Sequence, residues 1–506
     1  MALNDIVFVK GQGGLGRPLE GQDYISGMLF YTATLPSGFS SSSRIKQVFS
    51  IKDAEALGIL GDYSDATSST ATVVISTLGA TGDTITIKNT ENNGVVATLC
   101  SYTKAAGDTT IALLGASVAA AINAGTLTHG YTASFTTATL TITAPKRLGI
   151  YLNTKVALAV TTVGTVAFAT PSAFSGGVAS KLANYHYHIA EFFRIAPQGA
   201  LYVGFYAVPS PYTFVDITTM QNYANGTIRQ LAVWKEDTWA VGDTTTIQTE
   251  VVTNCDANHK PLSVIYSADF SAVSDLSTLP DLSTYNNNKV SVVIGQDAAG
   301  LGLYLYQTYG KSISCLGAVL GAVSLSSVST SIGWIANFNL SNGYELDTIG
   351  FANGDLVSTK SQGLLNTLDN ERYIFLIKYS GVSGSYINDG HCSISVSSDY
   401  AYIENNRTID KAIRGVYSSV IPQLNSPLTL NADGTLTDTT IAYFTSLAET
   451  NLIQMIRDNE LSAQKVQIAT NQNVLSTGKL VISVQLLPIG VARAIQVNIG
   501  FVTAIK

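Results

Sequence analysis

Gly11, Gly13, Gly14 and Gly16, in the run Gly11-Gln-Gly-Gly-Leu-Gly16, match the GxGxxG spacing with which a strand–helix turn cradles a pyrophosphate. That chemistry needs a helix directly after the last glycine and an acidic residue about 20 positions on for the ribose. Arg17-Pro-Leu-Glu-Gly21 follows instead, with no helical period, and neither that acid nor a Walker lysine is present. The four glycines therefore read as the hinge of a flexible arm. His186 and His188 flank Tyr187, with Glu191 nearby. Two histidines at i and i+2 share a face only on a strand, whereas Leu182 to Ile195 reads as a helix, and zinc would need further ligands. A core or interface position is expected for them. Cys100, Cys255, Cys315 and Cys392 are far apart and form no ligand spacing, so buried reduced thiols are expected. Neither GxSxG nor HExxH occurs, and the carboxylates are too scattered to nominate an acid–base pair. No catalytic, metal-ligating or cofactor-binding residue is nominated, and the chain reads as structural rather than enzymatic.

The elements around these residues belong to a chain of 506 residues, a length that suits roughly three domains. Apolar residues make up 46% and charged residues 12%, against about 25% charged in an ordinary soluble domain. So thin a polar coat suits surfaces that pack against other subunits. The net charge of −7 includes no basic block, which argues against nucleic-acid binding. The longest apolar run, Cys315 to Val323, is far short of the about 20 residues of a membrane span. Met1 to Lys10 lacks the basic and apolar regions of a standard export signal, so neither membrane insertion nor export is expected.

Four segments are expected. Residues 1–61 begin with the alternating run Ile6, Val7, Phe8 and Val9, then carry a strand near Tyr24–Tyr31 and a short helix capped at Ser50. Composition shifts at Asp62, and 62–177 is rich in Thr, Ala, Gly and Val. Its period-two runs Thr84–Lys88 and Thr139–Thr143, with one helix over Ile111–Ala124, mark an inserted β-rich domain. Phe174-Ser-Gly-Gly-Val178 reads as its hinge back. Residues 178–400 alternate continuous apolar runs (201–208, 262–266, 289–294, 373–378) with helical stretches, the pattern of a sheet covered on both faces. Residues 401–506 carry a helix through Ile421, a turn at Ala432–Gly434, and a helix capped by Asp438. Two alternating strands, Leu480–Leu486 and Ala494–Phe501, close the segment. Apolar, alternating termini need an edge to pair with, in their own domain or in a neighbouring copy.

Tyr402-Ile-Glu-Asn-Asn-Arg-Thr-Ile-Asp-Lys-Ala-Ile-Arg414 resembles the entry helix of the C-terminal domain in contractile phage tail sheath proteins. Leu475–Leu480, Leu487–Gly490 and Ala492–Ile499 resemble that family's closing hairpin, and Phe174–Val178 its Gly-Gly junction. Met1–Tyr31 looks like the arm of a divergent sheath branch, related to the sheaths of contractile injection systems. The resemblance is vague over 179–400 and absent over 62–178.

It implies an α+β or α/β multidomain fold: a tail-sheath-like body, an outward-facing inserted β-rich domain, and terminal arms that exchange strands between subunits. The exchanging residues would be Ile6, Val7, Phe8, Val9, Ile495, Val497, Ile499 and Phe501. The implied assembly is a homo-oligomer of hexameric rings stacked as a helical sheath on a tail tube protein, with baseplate and tail terminator proteins at its ends. Its contraction would drive the tube through a target envelope. The implied location is the virion tail, assembled in the host bacterial cytoplasm, without nucleic acid or membrane insertion. The C-terminal domain would face the tube, where Arg407, Lys411 and Arg414, at helical spacings, would either present a basic edge or be ordinary solvated charges. The alternative is another virion or appendage structural protein: a tail tube, a baseplate component or an adhesin.

Overall fold

The computed structural model describes residues 22–92 and 94–501. The expected arm strand Ile6, Val7, Phe8 and Val9 and the hinge glycines Gly11, Gly13, Gly14 and Gly16 lie outside the described residues.

The strand Ile25–Tyr31 is buried at every position because the sheet around it is covered on both faces. Its side chains alternate: Phe30 meets Tyr185 and Phe205, whereas Tyr31 meets Tyr212 and Phe214. The sheet runs Tyr373–Ile374, Val290–Val293, Ser263–Asp269, Gln230–Thr238, Ile25–Tyr31, Ala200–Tyr206 and Ile45–Val48. Only the Ile45–Val48 edge is antiparallel. The apolar run near Cys315 forms the buried helix Leu316–Leu325. It lies so close to the helix Leu182–Ile195 that a Cβ on Gly317 would stand 2.1 Å from the His188 carbonyl oxygen.

Residues 70–168 build two further antiparallel sheets. One joins Thr132–Thr136, Thr139–Thr143, Thr70–Thr77 and Ala167–Phe168, the other Val96–Thr103, Thr84–Thr90 and Leu158–Val163. The helix Ile111–Ala124 is capped by Thr110 and puts Leu114, Val118 and Ile122 into a core separate from that of the large sheet. Entry and exit are tied together: Thr67 and Val178 exchange two backbone hydrogen bonds of 3.0 Å, and Ser175 pairs with Thr70. The segment Phe174–Val178, expected as a hinge, is thus one side of a paired neck.

The C-terminal module packs the helices Ile403–Val420 and Asp438–Arg457 with an antiparallel hairpin, Leu461–Gln467 and Ser483–Pro488. The cap of the second helix is Thr437, one residue before the expected Asp438; its hydroxyl accepts from the Thr440 N–H. The expected pairing of 480–486 with 494–501 does not form. Leu461–Gln467 takes that place, and Ala494–Phe501 belongs to no strand. The chain is a mixed α+β multidomain protein, the class indicated by its alternating and continuous apolar runs.

Candidate functional site

The helix Ile403–Val420 carries its polar residues inward, onto the body. Lys289 donates to both Asp410 oxygens, at 2.6 and 2.8 Å, in a pair with almost no exposure, and Asn288 donates to Asn406 at 3.0 Å. Arg407 is buried and donates to the Ser326 and Ser327 carbonyls, just past the end of the Leu316–Leu325 helix, where a cation complements the helix dipole. Lys411 contacts Asp23 and Glu460, each at 2.6 Å, and Arg414 contacts Asp23 at 3.3 Å.

The three cations nominated for a tube-facing edge have their partners within this chain. Arg407, Lys411 and Arg414 are held inside the chain because Asp23 and Glu460, remote in sequence, supply the opposite charges. Burial alone would raise the Asp23 carboxyl, but Lys411, Arg407 and Arg414 together hold it below the usual carboxylate range. Asp23 lies almost at the start of the described residues, so their N-terminal end is fastened to the C-terminal module.

The hairpin of this module has one partner for each strand, which leaves both outer edges unpaired among the described residues. Unpaired edges present N–H and C=O groups to any extended chain. An apolar groove of about 920 Å³ runs beside it, lined by Ile413, Val416, Leu424, Leu428, Leu475 and Ile482. The tail leaves the hairpin after Pro488 and carries Ile495, Val497, Ile499 and Phe501 at alternate positions. Val497, the least exposed of the four, is 70% exposed. The alternation read in the sequence as a strand is present, and no strand among the described residues pairs with it.

Elsewhere, several charged side chains are paired internally. In an open parallel sheet, ligands enter outside the carboxyl ends of the strands where strand order reverses. In this sheet that point lies beyond Tyr31 and Trp234. There Lys181 pairs with Glu236 at 2.9 Å, Lys235 with Asp243 at 2.6 Å, and the Tyr212 hydroxyl donates to Asp237 at 2.6 Å. His186 and His188 are splayed by their helix: His186 contacts Glu55 at 3.0 Å, while His188 is fully buried between Phe30 and Trp234. All four cysteines are buried and none is in a disulfide. Among the described residues, no group of three or more His, Cys, Asp or Glu is placed to hold a metal ion.

A three-layered α/β body joined to a module of two helices and an open-edged hairpin defines the architecture. The chain belongs to the DUF2586 family, whose N-terminal domain matches residues 3–391 and whose C-terminal domain matches residues 399–506. No curated protein matches it. Among solved structures it is similar to the helical sheath of the anti-feeding prophage in the contracted state, with 14% identity, 63% of this chain and 81% of that chain covered, and a TM-score of 0.43. It is also similar to the sheath tail protein from Listeria innocua, with 10% identity, 93% and 96% covered, and a TM-score of 0.40. The sheath tail protein from Desulfitobacterium hafniense has 10% identity, 96% and 100% covered, and a TM-score of 0.37.

Proposed function

We propose that this chain is a contractile tail sheath subunit. Copies assemble as stacked hexameric rings around an inner tube, joined by exchanged terminal strands, and their contraction drives the tube through a target envelope. Baseplate and terminator proteins are the partners at the two ends, and the virion tail, put together in the host cytoplasm, is the location. Its work is mechanical, not catalytic.

The observation that carries this reading is the coexistence, in one module, of a hairpin with two open edges and an alternating apolar tail that has no pairing partner among the described residues. A second copy supplies each with what it lacks. Each backbone hydrogen bond gained is worth about 0.5–1.5 kcal/mol net. Several of them, with Ile495, Val497, Ile499 and Phe501 buried in trans, make loss of a subunit costly. Contraction demands such tethers, since close-packed surfaces do not deform continuously while subunits slide. The sheath-like motif 402–414 supports the reading from the other side: it docks this module rigidly on the body, which gives the exchanged strands a firm anchor.

Electron micrographs of the purified chain test it. Hollow, wide cylinders are expected. Narrow tubes or dispersed monomers would assign the chain to another structural role.

A further inference from the structure

Between the hairpin and the exposed tail, residues 489–493 form a strap over a cavity of about 1100 Å³ that they line together with Trp334 and Tyr402. The strap belongs to no helix or strand. Its polar anchor is Arg493. The guanidinium lies over the Tyr402 ring, 3.3 Å from the centroid, and donates to Asp389 at 2.5 Å and to Glu404. The receiving residues are held from behind: Asp389 accepts from the Gly390 N–H at 2.7 Å and from Ser331 at 3.2 Å. Arg372 lies against the same ring at 4.6 Å, but it donates to the carbonyls of Cys392 and Ala401 and does not bridge the two carboxylates. Glu404 is 3% exposed, and its second oxygen has no hydrogen-bond partner.

We infer that Asp389, Tyr402 and Glu404 form a guanidinium-binding clasp that Arg493 closes in the unassembled chain and leaves when the tail pairs with a neighbouring copy. The opening half of this inference rests on the strand-exchange reading; the closed clasp does not. Reach is what the clasp controls. With Arg493 seated, the described tail 494–501 extends at most about 26–29 Å from its anchor, and with Arg493 free, residues 489–501 extend about 43–47 Å from the hairpin. A subunit thus keeps a short arm before assembly and gains a long one when its neighbour moves.

Burial raises the Glu404 carboxyl to about 7, with Arg493 pulling it down and Asp389 pushing it up. The ionisable groups around it are Asp389, Arg493, Arg372, Arg407, Tyr402, Cys392 and the His391–Asp369 pair at 2.8 Å.

Spin labels on Ser397→Cys and Ile499→Cys of the full chain, kept dilute, measure the closed state, because the native thiols are buried. One narrow distance is expected, and Arg493→Gln should broaden it and lengthen it by about 10 Å or more. A wild-type distribution already broad, or one unchanged in Arg493→Gln, would overturn the clasp. A second label pair at 397 and 462 reports the module's fold and should stay constant throughout. In assembled cylinders the 397–499 distance should lengthen, and a short distance there would make the clasp a permanent tether. A chain that forms no cylinders contradicts the sheath reading while leaving the dilute measurement to decide the clasp by itself.

Discussion

Asp23 and Lys411 stand 388 positions apart in the chain and 2.6 Å apart in space. This contact joins the first described residues to the C-terminal module at one charged cluster: Asp23 faces Lys411, Arg407 and Arg414, and Glu460 completes the balance. Both proposed arms start near it. Strain applied to either arm is therefore borne by the C-terminal module and the large sheet together.

Replacing Asp23 by Ala leaves Arg407, Lys411 and Arg414 with Glu460 and Asp410 as their nearby acids. Because the carboxylate is about one-fifth exposed, solvent offsets part of the loss, and a destabilisation of about 1–3 kcal/mol is expected in urea unfolding. The pH dependence has a definite sign. The native carboxyl lies below its unfolded value, so its contribution is present above about pH 4 and is lost as pH falls through the lower native value. Asp23→Ala should lack that part of the acid transition.

His188 supplies a different acid response. Burial pushes its imidazole down to about 3, and neither ring nitrogen has a hydrogen-bond partner. It remains neutral in the native state and protonates on unfolding, so stability is lost as pH falls from about 6.5 toward about 3. His188→Phe keeps the ring contacts with Phe30 and Trp234, at a small increase in volume, while removing two unpaired polar atoms. A gain of about 1–2 kcal/mol at neutral pH and a flatter stability profile below about pH 6.5 are expected from denaturant titrations.

The paired neck at Thr67 and Val178 makes the inserted sheets removable. Excising residues 68–177 and joining the two paired residues through two glycines should leave a body that melts cooperatively and still forms cylinders. Some loss of stability is expected, because Arg147 donates to the Tyr304 hydroxyl at 3.3 Å and Ile150 to the Thr308 carbonyl at 3.0 Å across the junction. A folded variant that forms no cylinders, seen by circular dichroism and microscopy, would place the insert within the lattice.

Local pattern was readable and remote partnership was not. The Ser50 cap, the Ile111–Ala124 helix and five of the seven strands of the large sheet follow from signals within a few residues, whereas Ile45–Val48 and Gln230–Thr238 were not read. That Ile25–Tyr31 would sit between strands drawn from 200–206 and 230–238 has no local signal. Leu461–Gln467 was missed because only Leu461 and Val466 are buried, so its sequence carries no period of two. The motif 402–414 gave a helix, but not which way its charges turn. Arg407, Lys411 and Arg414 look like a solvated face until Asp23 and Glu460 are brought against them. Glu404 was legible only as a first-turn helix acid; its burial under Arg493 depends on a strap 89 residues away.

The exchanged tail is the centre of the account, and Val497→Pro tests it most directly. Proline removes one ladder donor and its ring disfavours an inner strand, while the position, being exposed in the single chain, costs the monomer nothing in packing. Electron microscopy of this variant beside the wild type, with circular dichroism as the control for folding, is the measurement. The account predicts a folded chain that forms no cylinders. Cylinders of wild-type number and length from Val497→Pro, and equally from a chain lacking residues 494–506, would contradict it.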